Sequence, residues 1–319
     1  MTQAQTQGNG GQYFGGRVYL TGIADEAGAS IDVQIQATKE LGWKTIEART
    51  VQVDGFEPAN IHDIPDEAFE QVVEKLQEAG IGVCCFGSTI GNWAKKITDP
   101  FEITLQEVER AIPRMQRLGT KLVRVMSFAI REDSDDQMEE ERFRRMREIT
   151  KRFLDAGIQP VHENCMNYGG MGWTYALRLL ENVPGLKWVW DTGNPVFNPD
   201  RTKPKPWPRQ DPWEFYTKVK PWIVHVHVKD AVWDEEKQDA VYTWPGEGQG
   251  QVRRILKDLL ATGYEGGISI EPHLAAVFHD PTKKASPEEQ YRTYVEYGRR
   301  LAQMVREIEQ ELQGTSPSS

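Results

Sequence analysis

Four short runs hold the residues best suited to gripping a cation and moving protons. They are Val161-His162-Glu163-Asn164, Trp190-Asp191-Thr192-Gly193-Asn194, His225-Val226-His227-Val228-Lys229-Asp230 and Ile268-Ser269-Ile270-Glu271-Pro272-His273. Each is an apolar stretch that turns polar at its end, as a strand does when it leaves a core. In order, the runs finish with Glu163, Asp191, His227 and Glu271. A buried carboxylate is costly unless it is paired or bound to a metal. Three of them converging beside an imidazole would repel strongly without a cation. Two Glu, one Asp and one His form an oxygen-rich donor set with one nitrogen, which suits a hard or borderline divalent ion. One ion is expected, Mn2+ first, with Mg2+, Co2+ or Zn2+ as alternatives. Taken singly, each residue reads as a salt-bridged strand end; four at matched positions carry the metal reading.

The elements that must position these residues follow a recurring phrase: a helix end, a small residue with Gly, then a short β-rich run. It occurs at Leu41-Gly42, Ala79-Gly80, Leu118-Gly119, Ala156-Gly157 and Thr262-Gly263. Gly suits the left-handed position that closes a helix. Between these points apolar residues recur at helical spacing: Phe69, Val72, Val73 and Leu76; Leu105, Val108, Ile112 and Met115; Phe143, Met146, Ile149 and Phe153. Asp211-Pro212 and Ser286-Pro287 are helix starts, with Glu289 completing a capping box. Eight β-rich runs alternate with helical segments, which predicts an α/β fold, a (β/α)8 TIM barrel in a single domain over 17–312. Residues 1–16 and 313–319 read as disordered tails. An open doubly wound sheet is the competitor, but Thr21-Gly22-Ile23-Ala24-Asp25-Glu26 after the first strand is not GxGxxG. In a parallel barrel the active site lies at the C-terminal ends of the strands, where the four acidic and imidazole residues fall.

Composition narrows the function classes. The 319 residues carry 48 acidic against 38 basic side chains, a net charge of −10. Binding to nucleic acid generally draws on a positive surface, so that class is not expected. No run of about 18 apolar residues occurs, and Met1–Gly16 lacks the basic start and apolar stretch of a secretory signal. No membrane partner is expected. Three cysteines, two of them neighbours (Cys84 and Cys85), make no paired framework and fit reduced thiols in a cytoplasmic protein.

The strand-end motifs resemble the xylose isomerase-like barrel superfamily, in particular its sugar phosphate isomerase/epimerase group. The resemblance spans about residues 17 to 305. It is carried by HEN at 162–164, DTGN at 191–194, HVKD at 227–230 and GYEGGISIEPH at 263–273. It implies one divalent metal on Glu163, Asp191, His227 and Glu271, with Glu163 and Glu271 as the acid/base pair. It also implies a small-molecule sugar substrate and a homodimer. Ketose 3-epimerases of this group carry a histidine three residues after the metal-binding Asp. Here that position is Asn194, which can hydrogen-bond a hydroxyl but cannot be protonated.

The chemistry that such a site allows is shared by several reactions. A metal-chelated hydroxycarbonyl has an acidic α-proton, and one Glu can remove it to give a cis-enediolate. Protonation from the other face epimerises; protonation at the neighbouring carbon isomerises; loss of a β-hydroxyl dehydrates. A sugar isomerase or epimerase is the first reading. A metal-dependent lyase, of inosose- or dehydroshikimate-dehydratase type or acting on a 3-keto-glycoside, is the alternative. A non-catalytic sugar-binding barrel ranks lower. Endonuclease action at abasic DNA sites, known in the same superfamily, needs a three-metal cluster richer in histidine than a chain with six in all.

Around this centre Asn194, His273, Lys229, Glu47 and Trp244 are candidate substrate contacts. Glu47 or Arg49 could meet sugar hydroxyls or form a salt bridge within the barrel. His225 is expected as a hydrogen-bonded core residue one layer below His227. His162 is expected to point away from the site. Gly246-Glu247-Gly248 sets an acid where a phosphate would bind, which favours unphosphorylated sugars.

Overall fold

In the computed structural model of the chain, residues 11–277 and 280–314 are described. Eight strands lie parallel: β1 Val18–Gly22, β2 Thr45–Ala48, β3 Gly82–Gly87, β4 Leu122–Val125, β5 Gln159–Glu163, β6 Lys187–Asp191, β7 Ile223–Val228 and β8 Gly266–Ile270. Each pairs with its sequence neighbour from β2 through β8, and β8 pairs with β1. The seam between β1 and β2 closes at its upper end through a parallel bridge from Ile23 to Glu47 and through the Thr21 hydroxyl, which donates to the Thr45 carbonyl at 2.8 Å. The result is the barrel that the strand–helix alternation predicts.

Helices alternate with the strands: α1 Ile31–Glu40, α2 Asp66–Ala79, α3 Phe101–Leu118, α4 Glu139–Asp155, α5 Trp173–Asn182, α6 Pro212–Val219, α7 Val252–Ala261 and α8 Pro287–Gly314. The predicted stripes face inward: Phe69, Val72, Val73 and Leu76 of α2 and Phe143, Met146, Ile149 and Phe153 of α4 are all buried. Gly80 and Gly119 end α2 and α3 with φ of 67° and 70°, the conformation that a β-carbon would penalise. Asp211 caps α6 by accepting from the Glu214 amide at 2.8 Å, and Ser286 accepts from the Glu289 amide at 3.2 Å at the start of α8.

One expectation changes. The stretch expected as a tail to residue 16 contains a short strand, Gln12–Tyr13, antiparallel to β1. Because the other edge of β1 is taken by β8, this strand fills the lower part of the seam. Tyr13 is buried and its hydroxyl donates to the Ala302 carbonyl at 3.2 Å. Residues 1–10 and 315–319 lie outside the described residues, and α8 runs on to Gly314. The segment after β7 holds a hairpin of Asp230–Asp234 against Asp239–Thr243. No helix among the described residues is long and apolar enough to cross a membrane.

Candidate metal centre

Strand alternation sorts the side chains at the mouth of the barrel. Trp190 and Trp188 turn outward to the helices, where Trp190 meets Phe215 of α6 edge-on at 5.4 Å. Asp191, next along, therefore turns inward. His162 likewise turns outward: its ring lies 4.7 Å from that of Trp188 and its Nε2 is 2.9 Å from the Ser127 hydroxyl. Glu163 is left facing the barrel axis. His227 pairs in register with Asp191 on β6 and with Ser269 on β8, and Glu271 follows at the end of β8.

Glu163, Asp191, His227 and Glu271 are all buried, and each presents a donor atom within 4.8 Å of the others. The Asn164 side chain locks the first two together. Its amide donates to the Asp191 carbonyl and its oxygen accepts from the Asp191 amide, both at 2.8 Å. Asp191 Oδ1 accepts from the amides of Gly193 and Asn194 at 2.8 and 2.7 Å, while Oδ2 is buried without a hydrogen bond among the described residues. His227 shows the same division. Its Nε2 lies 3.0 Å from Glu47 Oε1, and its buried Nδ1 has no hydrogen bond, lying 3.5 Å from Glu163 Oε1 and 3.9 Å from Glu271 Oε2. Buried polar atoms without partners are rare. His227 Nδ1 is such an atom, and together with Asp191 Oδ2, whose neighbour is the Lys229 ammonium at 3.1 Å, it fits a divalent ion held by these residues.

The expected repulsion among three carboxylates is offset by side chains as well. Arg124 Nη1 lies 3.1 Å from Glu163 Oε2, Arg49 Nη1 lies 2.8 Å from Glu271 Oε1, and Lys229 Nζ lies 2.9 Å from Glu271 and 3.1 Å from Asp191 Oδ2. Burial works to raise the Glu163 carboxyl, but Arg124 and His227 outweigh it and hold it at about 2. Burial is outweighed for Glu271 too, by Lys229 first and then His273 and Arg49, so it lies well below the usual range. Asp191 goes the other way: burial, with Glu271 and Glu163 nearby, lifts it to about 7 against the pull of Lys229. Burial lowers His227, yet Glu47 and Glu163 lift it to about 10.

Three of the five substrate-contact candidates, Asn194, Lys229 and His273, line the chamber over this centre together with Arg49, Arg124, Glu163 and Glu271. Asn194 donates to Glu163 Oε1 at 3.2 Å. Glu26 grips His273 twice, accepting from its backbone amide at 2.8 Å and facing its Nδ1 at 2.7 Å. Glu47 is placed elsewhere. It is fully buried beneath the centre, between His225 Nε2 at 2.9 Å and His227, so its contact is with ring nitrogens and not with the chamber. His225 is accordingly the hydrogen-bonded core residue expected. Trp244 also lies away from the chamber, with its ring 6.1 Å from Tyr297 of α8 and Arg300 over it at 4.2 Å. The neighbouring glycine-rich loop is occupied by the chain itself, since the amides of Gly246, Gly248 and Gly250 all donate to Asp230 at 2.9–3.0 Å. Arg124 escaped the sequence reading. Its signal is a lone cation near the end of the apolar run Leu122-Val123-Arg124-Val125-Met126, which acidic strand ends alone do not point to.

Comparison with known proteins decides the family. The sequence profile described as xylose isomerase-like TIM barrel matches residues 35–301. The chain belongs to the xylose isomerase-like TIM barrel family. Among solved structures, this family member is similar to a D-tagatose 3-epimerase-like protein, with a TM-score of 0.67 and 18% identity over 92% of this chain and 99% of that one. It is also similar to a xylose isomerase-like TIM barrel protein from Mycobacterium smegmatis in complex with magnesium (TM-score 0.63, 17% identity, 91% and 97% covered). A third is the probable 3-DHS dehydratase AsbF from Bacillus anthracis (TM-score 0.60, 17% identity, 88% and 97% covered). No curated protein matches the chain.

Proposed function

We propose that the protein is a divalent-metal-dependent sugar isomerase or epimerase, with Glu163 and Glu271 as its acid/base pair and Mn2+ as its first-choice ion. The observation that carries this reading is the convergence of Glu163, Asp191, His227 and Glu271, all buried and with donor atoms within 4.8 Å of one another, with His227 Nδ1 turned toward the carboxylates and making no hydrogen bond among the described residues. A divalent ion bound there would polarise a substrate carbonyl and stabilise the negative charge of an enediolate. The chain's own residues do the rest. Glu163 and Glu271 approach the centre from β5 and β8 and can reach opposite faces of one substrate carbon. One takes the α-proton and the other returns a proton. Asn194 orients Glu163, and Arg124 and Arg49 fix the two carboxylates in place. His273 and Lys229 stand where substrate hydroxyls or a developing oxyanion would be met. Because Asp230 fills the glycine-rich loop, the amides that could cradle a phosphate are taken, which supports an unphosphorylated sugar.

A lyase is the second reading, and one observation favours it. Arg124 holds Glu163 ionised, and Lys229, His273 and Arg49 hold Glu271 so. In that state one carboxylate can take the α-proton and hand it to the departing β-hydroxyl, so that water is lost without the second, protonated carboxyl that epimerisation needs. The two are separated by incubating the Mn2+-loaded protein with ketoses and aldoses in D2O. Deuterium in recovered or isomerised sugar supports the isomerase or epimerase; an absorbing enone supports the lyase. Neither product from any sugar overturns both.

A further inference from the structure

The Lys229 ammonium sits on the two carboxylate oxygens that the rest of the site leaves to a cation. Asp191 Oδ1 is taken by the amides of Gly193 and Asn194, and Glu271 Oε1 by Arg49. The remaining oxygens, Asp191 Oδ2 and Glu271 Oε2, lie 3.1 and 2.9 Å from Lys229 Nζ. They also face the centre: His227 Nδ1 lies 3.9 Å from the same Glu271 oxygen. A divalent ion touches carboxylate oxygens at roughly 2.0–2.2 Å. An ammonium and such an ion, both positive, compete for these two atoms.

A displaced Lys229 has little room to leave. The Thr192 hydroxyl grips its backbone twice, donating to the Lys229 carbonyl at 2.6 Å and accepting from its amide at 3.1 Å. The stem lies against Gly193, where a β-carbon would come within 2.7 Å of Lys229 Cγ. Movement is left to the far end of the side chain, in the chamber it lines. A buried ammonium that loses its carboxylates needs another negative partner. The chamber's own charges do not supply one. Arg49, Arg124 and Lys229 line it with Glu163 and Glu271, and those two glutamates are held by Arg124 and Arg49. A divalent ion adds two further positive charges.

Resting on the metal-dependent sugar reading above, we propose that Lys229 holds the ion's place in the metal-free protein and, once displaced, receives the carboxylate of a sugar-acid substrate. The class is a 2-keto-3-hydroxy acid, whose carboxylate adjoins the reacting ketone. Such a compound keeps every group the enediolate chemistry uses. It has a ketone and a neighbouring hydroxyl to chelate a cation, and an acidic hydrogen on the hydroxyl-bearing carbon. Its carboxylate, one bond from the ketone, falls beside the centre where Lys229 stands. A neutral ketose would leave the ammonium without a counter-charge.

The test is calorimetry on the full chain in saturating Mn2+. D-fructose, L-sorbose and D-xylulose are each compared with the 2-keto acid that carries a carboxylate in place of the hydroxymethyl group beside the carbonyl. The acid is expected to bind about tenfold or more tightly in at least one pair. Lys229→Met is expected to cut that ratio to about threefold or less, the remainder being the ion's own preference for a carboxylate. Mn2+ affinity measured without sugar is expected to rise about threefold or more in Lys229→Met, because the competitor for Asp191 and Glu271 is gone. Circular dichroism is the folding control, and the comparison in the unmodified protein stands without the variant. Equal acid and ketose affinities in all three pairs, a ratio that the folded variant leaves unchanged, or weaker Mn2+ binding by that variant overturns the proposal. Mn2+ binding by neither protein overturns the metal reading and this proposal with it, so the two failures are distinguishable.

Discussion

Glu47 holds His227 by one edge of its ring: Oε1 and Oε2 lie 3.0 and 3.1 Å from Nε2, and Nδ1 is left facing Glu163 at 3.5 Å. Both side chains are fully buried. A carboxylate behind a ligating imidazole fixes which nitrogen is offered and strengthens it as a donor. Glu47→Gln keeps the shape and removes the charge, so Mn2+ binding is expected to weaken by roughly 10–100-fold with the fold intact. Calorimetric titration with circular dichroism as the folding control checks this; an unchanged affinity would leave Glu47 a purely structural residue.

Metal binding is expected to depend on pH in two stages. Without the ion, Glu47 and Glu163 overcome burial to keep His227 protonated up to about pH 10, and burial keeps Asp191 protonated up to about pH 7. A bound ion excludes both protons, so the loaded state carries fewer and affinity rises with pH. Near pH 8 only the His227 proton remains to be displaced, and near pH 6 both do. Titrations in buffers of different ionisation enthalpy are expected to show release of about one proton at pH 8 and close to two at pH 6. Release that does not grow on acidification contradicts this assignment.

Arg124 bears directly on the stability of the metal-free protein. It is buried and spans Glu163 and the Ser88 carbonyl, both at 3.1 Å. Arg124→Met leaves a buried carboxylate with one cation fewer, a change that typically costs about 3–5 kcal/mol. The variant's metal-free melting temperature is expected to fall well below that of the parent. Mn2+ should then raise it by more than it raises the parent's, because the ion supplies the missing positive charge. Equal metal-induced shifts would show that Arg124 and the ion do not share a task.

Much of this was legible in the residues. The strand runs and helix stripes rest on local periodicity and capping, and the structure reproduces them to within a residue or two. The inward direction of Glu163 and the outward direction of His162 follow from alternation along a strand. Contacts across the barrel interior did not show. Glu47 and His227 lie 180 positions apart in the sequence, and no local pattern tells a side chain at a strand end from one buried a layer deeper. The same holds for Gln12–Tyr13. A polar, glycine-rich opening reads as a tail until the gap between β1 and β2 gives it a place to pair.

His162 ties acid stability to the outward face of β5. Burial, against a smaller opposing effect of Glu163, pushes its imidazole down to about 3. The unfolded chain takes up that proton near pH 6.5 and the folded chain does not. The associated stability is therefore present above 6.5 and is lost as pH falls toward 3. Between pH 6.5 and 5 the loss is about 2 kcal/mol. Urea unfolding at the two pH values, compared with His162→Gln, checks it: the variant should show a correspondingly shallower dependence, and an identical slope would remove His162 from the account.

The most direct measurement is the metal content of the protein, by elemental analysis after loading with Mn2+ and desalting, alongside Asp191→Asn and Glu163→Gln. One ion per chain in the unmodified protein, falling to a small fraction of that in both variants, is the expected result. An unmodified protein that retains no ion, or variants that retain as much as the parent, would contradict the assignment of Glu163, Asp191, His227 and Glu271 as the metal centre.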